Sequence, residues 1–581
     1  MVRTSPMTIK KSSLYFIFVI FLSTLCSQKV FSQEITSKNQ NGIVLRGLEN
    51  IPMDEWTQLL LNKTNRNSKA FQPTPNPTQK KVLIVALSYQ LEKWLSGDTN
   101  LETLFSNILT YVDNSNLQES KHFKILAYEL LVVREQLRTS SKNIDFNTLQ
   151  ELRQRLYLLQ MMAEEVLYIG YLKWPEEMSL TSKVKTDFSI LLKDLFDTTN
   201  PQNLAKAGDF TLQTGDIVLS KATGNGSSFF ITSIAKEPTT FSHSALTWID
   251  PNREWPYATL IEALMEDGTK LRKLNWLEYS KKTRIYVYRY EGLNPKNPNA
   301  ANISNEITEL TEQFVNQMKA RVTNPYTEAA FGYDISMSPE SWEGQRYFCS
   351  AVSWSVFNKP STLSQLNPYD RYTWSAVDGG RALLLKTLEV HSTHIPAPGD
   401  IELNSKWSLV GLKIKMDQLS QERIEAAIVE SLLNLIENNK KIMQKIEAQF
   451  DQIGDKPLTR EDLQKISTNP KVPEKYRKQI SDRINDFPEN ANLKQIVFFF
   501  FLNEILTPQL RTELLAAQSL SIEKGKVWGP LELRRQAQSK VAILAKSFEE
   551  KLQLWLKVFT PPEKNPKSGN CTSIIPTPVI K

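Results

Sequence analysis

The sequence is short of the residues that most binding chemistries need. Its 581 residues hold three cysteines and four histidines. Cys26 lies just past the first apolar run and Cys571 sits in a Pro- and Ser-rich tail, so no disulfide framework is expected. His391 and His394 lie three apart with no carboxylate or thiol at a metal-ligand offset, and His122, beside Lys121, reads as a surface histidine. There is no Gly-rich phosphate loop, no metal-ligand spacing and no internal repeat, so neither a cofactor nor a metal is expected. Charge of one sign is scarce too. The net charge is +7, but residues 1–32 contribute Arg3, Lys10, Lys11 and Lys29 and no acid, which leaves 7 − 4 = +3 for the rest. Without a basic stripe interleaved with aromatics, nucleic acid is not an expected partner. The most apolar runs, Leu14–Leu25 and Gln495–Leu506, fall well short of the roughly 20 residues a spanning helix needs.

What is present is the composition of a folded chain, 41% apolar and 23% charged, with a length that predicts two or three domains. Residues 1–32 read as a bacterial-type signal peptide: a basic start, the run Leu14–Leu25, then Val30-Phe31-Ser32 before a cut ahead of Gln33. The expected location is therefore the periplasm or cell envelope, with an uncleaved anchor or a lipid on Cys26 as alternatives. Leu25 stands where a lipidation signal wants a small residue. Residues 33–200 form an N-terminal helical region after a polar leader, with a Pro-punctuated linker at Phe71–Gln79. Its helical patterns are Gln79–Leu95, Lys121–Gln136 and Phe146–Leu172, the last with Leu149, Leu152, Leu156, Leu159 and Met162 on one stripe. Residues 416–560 are a second helical region. Glu425–Phe450 is amphipathic, and Gln495–Leu506 is either a buried helix of that bundle or a membrane-touching one. Residues 561–581 form a tail without structure.

Between these flanks, residues 204–415 change to strand-like periods. The expected strands are Asp216–Ser220, Ser228–Ile234, Ser242–Ile249, Tyr257–Leu264 and Arg284–Tyr290, followed by a helix over Ser304–Arg321. At Gly344–Phe357 a cysteine, Cys349, opens a helical pattern whose apolar face is Ala351, Val352, Val356 and Phe357. A thiol at a helix N-terminus beside an imidazole is a nucleophile, because the helix dipole and the imidazolium both favour the thiolate. The imidazole can shuttle the proton, and a third polar group fixes its tautomer. A hairpin closing symmetrically within the turn DPNREWP, between Asn252 and Arg253, pairs residues whose numbers sum to 505, and 243 + 262 = 505. His243 and Glu262 would then face each other on one side of the sheet. The competing readings are a buried small hydrophobe for Cys349 and a solvated face residue for Glu262.

The order GDI, SHSAL, IEAL, FCSAV and then Pro398-Gly399-Asp400 resembles the YiiX/YebB-like group, the circularly permuted branch of the NlpC-type papain-like cysteine hydrolases, related also to lecithin retinol acyltransferases. The resemblance covers about residues 204 to 410. It implies an α+β fold, a permuted papain-like antiparallel sheet plus cysteine helix, flanked here by all-α regions. It carries the nucleophile onto Cys349, the base onto His243 and the orienting carboxylate onto Glu262, with Asp216 structural. The backbone N–H of Cys349 would line the oxyanion hole, and Tyr347 the pocket. Where the group often has glycine soon after the histidine, this chain has Ser244-Ala245. The function implied is an exported thiol hydrolase cleaving an amide in a cell-wall peptide. The alternatives are a lipid-directed acyl hydrolase or acyltransferase working through an acyl-thioester, and a non-catalytic papain-like binding module. Expected partners are thus a peptide or lipid substrate of the cell envelope, with peripheral membrane contact in the lipid case.

Overall fold

The computed structural model describes parts of residues 127–559, chiefly 146–173, 204–221, 241–251, 258–274, 284–334, 346–363, 397–438, 458–484, 491–523 and 528–559. The signal-peptide segment, the helical pattern Gln79–Leu95, His122, the pair His391 and His394, and the tail 561–581 all lie outside the described residues.

The chain is α+β. Among the described residues the strands are β1 (Leu204–Ala207), β2 (Phe210–Gln213), β3 (Ile217–Lys221), β4 (His243–Trp248), β5 (Thr259–Leu264), β6 (Gly268–Lys273), β7 (Arg284–Tyr290), β8 (Gly332–Tyr333), β9 (Arg346–Tyr347) and β10 (Trp407–Ile414). Six of them make one sheet in the order β10-β7-β3-β4-β5-β6, antiparallel throughout. The helices are α1 (Phe146–Lys173), α2 (Ala300–Arg321), α3 (Cys349–Phe357), α4 (Pro398–Glu402) and α5 (Met416–Asn438), then six more, from α6 (Arg460–Thr468) and α7 (Glu474–Arg483) through α8 (Leu493–Ile505) and α9 (Pro508–Glu523) to α10 (Pro530–Leu544) and α11 (Phe548–Phe559).

The central strands are buried on both faces, which suits their β-branched and aromatic content. On β7 the tyrosines Tyr286, Tyr288 and Tyr290 join the larger core, while Ile285 and Val287 point into a smaller one. That larger core also takes Phe314 and Met318 of α2, Val352 and Val356 of α3, Val166 and Ile169 of α1, and Ile424 and Ile428 of α5. Helices from before and after the strands therefore share one hydrophobic cluster with the sheet. Buried ion pairs stitch the same seam. Arg284 and Tyr286 both donate to Glu164 of α1, at 2.7 and 2.8 Å, and Arg423 of α5 grips Glu165 at 2.8 and 2.7 Å. Lys221 at the end of β3 pairs with Glu422 of α5 at 3.1 Å.

The turn into β3 shows why Thr214-Gly215-Asp216 is there. Gly215 has φ +93°, and a Cβ on it would lie 2.5 Å from the Ile307 side chain of α2. Asp216 is fully buried and takes both guanidinium arms of Arg289 on β7 at 2.8 Å each, plus the Gln213 N–H at 2.9 Å. This fork locks β3 to β7, giving the structural role expected of Asp216 a physical basis. Asp216→Ala is expected to cost about 3–5 kcal/mol, because it leaves a buried guanidinium without its carboxylate. A urea titration that gave less than a quarter of that loss in unfolding free energy would remove this role.

Several expected elements shift. The strand expected over Ser228–Ile234 fails at Ile231, the one described position there, which is helical. Strand β5 starts at Thr259 rather than Tyr257, and α2 starts at Ala300, not Ser304. Strands β6 and β10 have no counterpart among the expected elements. β6 reads GTKLRK, with cations at half its positions, and in β10 the register shifts between Leu409 and Gly411, which breaks its alternation. Gln495–Leu506 coincides with α8, whose Ile496, Val497, Phe500 and Phe501 are buried and whose Phe500 stacks on Trp555 of α11 at 4.6 Å.

Candidate active site

Cys349 opens α3. Phe348 before it is extended (φ −92°, ψ 171°), so the helix begins at the cysteine itself. Ala351, Val352, Val356 and Phe357 are all buried, and α3 packs on β4 and β5. The thiol is therefore held at the positive end of a helix against the strands that carry the histidine and the glutamate. Its surroundings are almost closed: Cys349 is 2% exposed, His243 8% and Glu262 3%.

Within this pocket the three expected site residues meet. The His243 ring bonds Glu262, with Nε2 2.9 Å from Oε2, and lies near enough to the Cys349 side chain for each to shift the other's titration. Because Nε2 is engaged by the carboxylate, Nδ1 is the nitrogen left for the sulfur. The pairing that brings His243 and Glu262 together differs from the expected one. The β4–β5 ladder pairs Leu246 with Ile261, Thr247 with Leu260 and Trp248 with Thr259, so opposed numbers sum to 246 + 261 = 507, not 505. Extended along both strands, this register sets His243 across from Leu264 and Glu262 across from Ala245. The two are diagonal neighbours. A change of two in the sum keeps the face, which is why the contact survives; a change of one would have reversed it.

Electrostatics set the protonation states. Burial alone pushes the His243 imidazolium down in pKa, but its hydrogen bonds to Cys349 and Glu262, and their charges, outweigh this and lift it to about 9. For Glu262, burial pushes the carboxyl up, while the His243 bond and charge and the nearby Arg272 and Lys282 bring it down to about 2. The thiol of Cys349 follows the same logic. Burial raises it, and the bond and charge of His243, the backbone N–H of Ser244 and the Ser350 hydroxyl lower it below the ordinary thiol value. These shifts favour the thiolate–imidazolium pair, with the Glu262 carboxylate ionised behind it.

Several neighbours were not legible beforehand. Ser350 places its hydroxyl 3.8 Å from the sulfur and accepts from the Ser244 hydroxyl at 3.2 Å. Arg272 of β6 donates from Nε to the second Glu262 oxygen at 3.0 Å. The signal for Arg272 was the Asp267-Gly268 dipeptide, a tight-hairpin turn pair, which would have placed β6 beside Glu262. Tyr347, expected to line the pocket, is held by other aromatic rings. It is buried, with its ring edge-on to Phe314 at 5.3 Å and Phe331 at 5.0 Å. Among the described residues no group of three or more His, Cys, Asp or Glu side chains could hold a metal ion, and no described helix is long and apolar enough to cross a membrane.

In comparisons with known proteins, no family model, no curated protein and no solved structure matches the chain.

Proposed function

We propose that the chain is a cysteine hydrolase that cleaves an amide of a cell-wall peptide outside the cytoplasm, with Cys349 as nucleophile, His243 as acid and base, and Glu262 as the group that orients the imidazole. The observation that carries this reading is the buried row of a thiol at a helix N-terminus, the His243 imidazole beside it and the Glu262 carboxylate bonded to that ring. The Cys349 thiolate attacks the carbonyl carbon, and the carbonyl electrons move onto oxygen within reach of the first free N–H groups of α3. As the intermediate collapses, the carbon–nitrogen bond breaks and imidazolium His243 gives its proton to the departing amine. An acyl-thioester remains on Cys349. Neutral His243 then takes a proton from water, the hydroxide adds to the thioester, and the acid leaves as the sulfur recovers its electron pair.

A peptide is favoured over a lipid by what becomes of the apolar helix α8. Its aromatic residues stack inside the C-terminal helices, on Trp555 and Phe559, and offer little to a bilayer. The resemblance of the sheet and cysteine-helix motifs to the YiiX/YebB-like group, and the signal-like first 32 residues, fit an envelope peptide as substrate. A purely structural role for the thiol predicts no paired imidazole, and here one lies beside it and lowers its pKa.

The test is amine release from short muropeptide-like peptides, run beside fatty-acid release from phospholipid vesicles. The peptide arm is expected to turn over with a bell-shaped pH profile. Its acid limb follows thiolate formation at Cys349, below the ordinary thiol range. Its alkaline limb lies near pH 9, where His243 loses the proton it must donate. Release from vesicles with none from peptides would move the substrate to lipid esters; release from neither would remove the hydrolase reading.

A further inference from the structure

Glu262 is held from two sides. His243 of β4 takes one carboxylate oxygen at 2.9 Å, and Arg272 of β6 takes the other through Nε at 3.0 Å. The guanidinium does not end there: Nη2 bonds Asp267, in the turn between β5 and β6. That turn is fixed in turn by Gly268, at φ +66°, where a Cβ would lie 2.5 Å from the Phe331 carbonyl oxygen. Asp267 N–H also closes back on the Leu264 carbonyl at 3.2 Å. The turn positions Asp267, Asp267 aims Arg272, Arg272 orients Glu262, and Glu262 orients His243.

We infer that Arg272 is a positioning residue of this site, acting on His243 through Glu262, and that the Asp267 turn sets its aim. The inference rests on the thiol-hydrolase reading and deepens it. An arginine suits the task because its planar fork can bond two carboxylates at fixed angles, which a lysine ammonium cannot do. The geometry also says what is lost without it. Glu262 sits in a buried place where a carboxylate needs opposite charge to stay ionised. The charged groups facing it are His243 on β4, Lys270 directly across on β6, Arg272 diagonal to it, and Lys282 ahead of β7, with Cys349 beyond the imidazole and Asp267 beyond the guanidinium. Lys270 leans to Asp267 at 3.3 Å, while Arg272 bonds the carboxylate's far oxygen. A freed Glu262 carboxylate would rotate, and its hold on the imidazolium would weaken. Because the Arg272 side chain is 34% exposed, its pairing contributes little to overall stability, so a purely structural role would leave the site's titration unmoved.

The experiment is nitrogen-15 histidine NMR on the full chain. With four histidines, the His243 ring is assigned by its loss in His243→Gln. In the parent, His243 should titrate well above the ordinary histidine value. In Arg272→Ala the midpoint should shift by about one pH unit, Arg272→Lys should restore part of the change, and Asp267→Asn, a partly exposed substitution, should shift it by less. Peptide turnover in Arg272→Ala should drop on the order of tenfold in kcat with KM little changed. A raised His243 midpoint in the parent that neither Arg272→Ala nor Asp267→Asn moves would overturn this inference and leave the hydrolase reading intact. An ordinary midpoint in the parent would overturn both.

Discussion

Cys349→Ala is expected to abolish peptide turnover, by at least about a thousandfold, while the fold survives. The sulfur forms the covalent bond in the proposed reaction, so nothing else in the pocket substitutes for it. Ser350 cannot: its hydroxyl already bonds Ser244, and it is not the group paired with the imidazole. The structural consequence is small, because alanine occupies most of the volume of a buried cysteine and starts a helix equally well. Circular dichroism and a thermal melt should therefore match the parent within a few degrees, with turnover gone. Retained turnover would take the nucleophile role from Cys349. A collapsed melt would show that the thiol's main part is packing.

His243→Ala is expected to cost about a hundredfold to ten-thousandfold in turnover. Two losses combine. The amine no longer receives a proton, and the thiolate loses the imidazolium that offsets its burial. With the 2% exposure of Cys349 unopposed, the thiol should rise above its ordinary value. The same pair also tilts stability. His243 has its pKa raised from 6.5 to about 9, so the stability it contributes is fully present below pH 6.5 and is lost as the pH rises through about 9. For Glu262, lowered from 4.5 to about 2, the contribution is present above pH 4.5 and is lost as the pH falls toward 2. In His243→Ala the alkaline part of that dependence should vanish from urea midpoints measured between pH 6 and 10. A variant with parental turnover at pH 7 would remove His243 from the reaction.

The sequence exposed faces more clearly than pairings. Symmetric closure of the hairpin put His243 and Glu262 on one side of the sheet, and because side-chain direction has a period of two, a change of two in the sum left them there. The turn between them, DPNREWP, carries no feature that fixes where the hairpin closes, and the register moved by two in the sum. Cys349 at a helix start was legible because Phe348-Cys349 precedes an apolar run, and the helix does begin there. Arg272 was hidden for the opposite reason. Strand β6 reads as a polar stretch, since three of its six residues are cationic, and it joins the sheet through its edge position and through Leu271, which enters the core. Edge strand β10 was masked by Gly411 and its bulge. The helical flanks read as helix packed around the strands, and α1 and α5 contribute to the larger core. What joins them is a set of buried charges, such as Glu164 with Arg284 and Glu165 with Arg423, and such charges read as surface residues until a partner is seen.

The central claim is that Cys349 is a thiolate held by His243. The most direct test is the rate of iodoacetamide alkylation at Cys349 between pH 4 and 10, in a Cys26→Ser, Cys571→Ser background, with and without His243→Ala. The account predicts that the parent alkylates with a midpoint well below the unperturbed thiol value of about 8.5, and that His243→Ala carries the midpoint above it. A midpoint at the ordinary value, indifferent to His243, would contradict the account and leave the sheet and cysteine helix as scaffold.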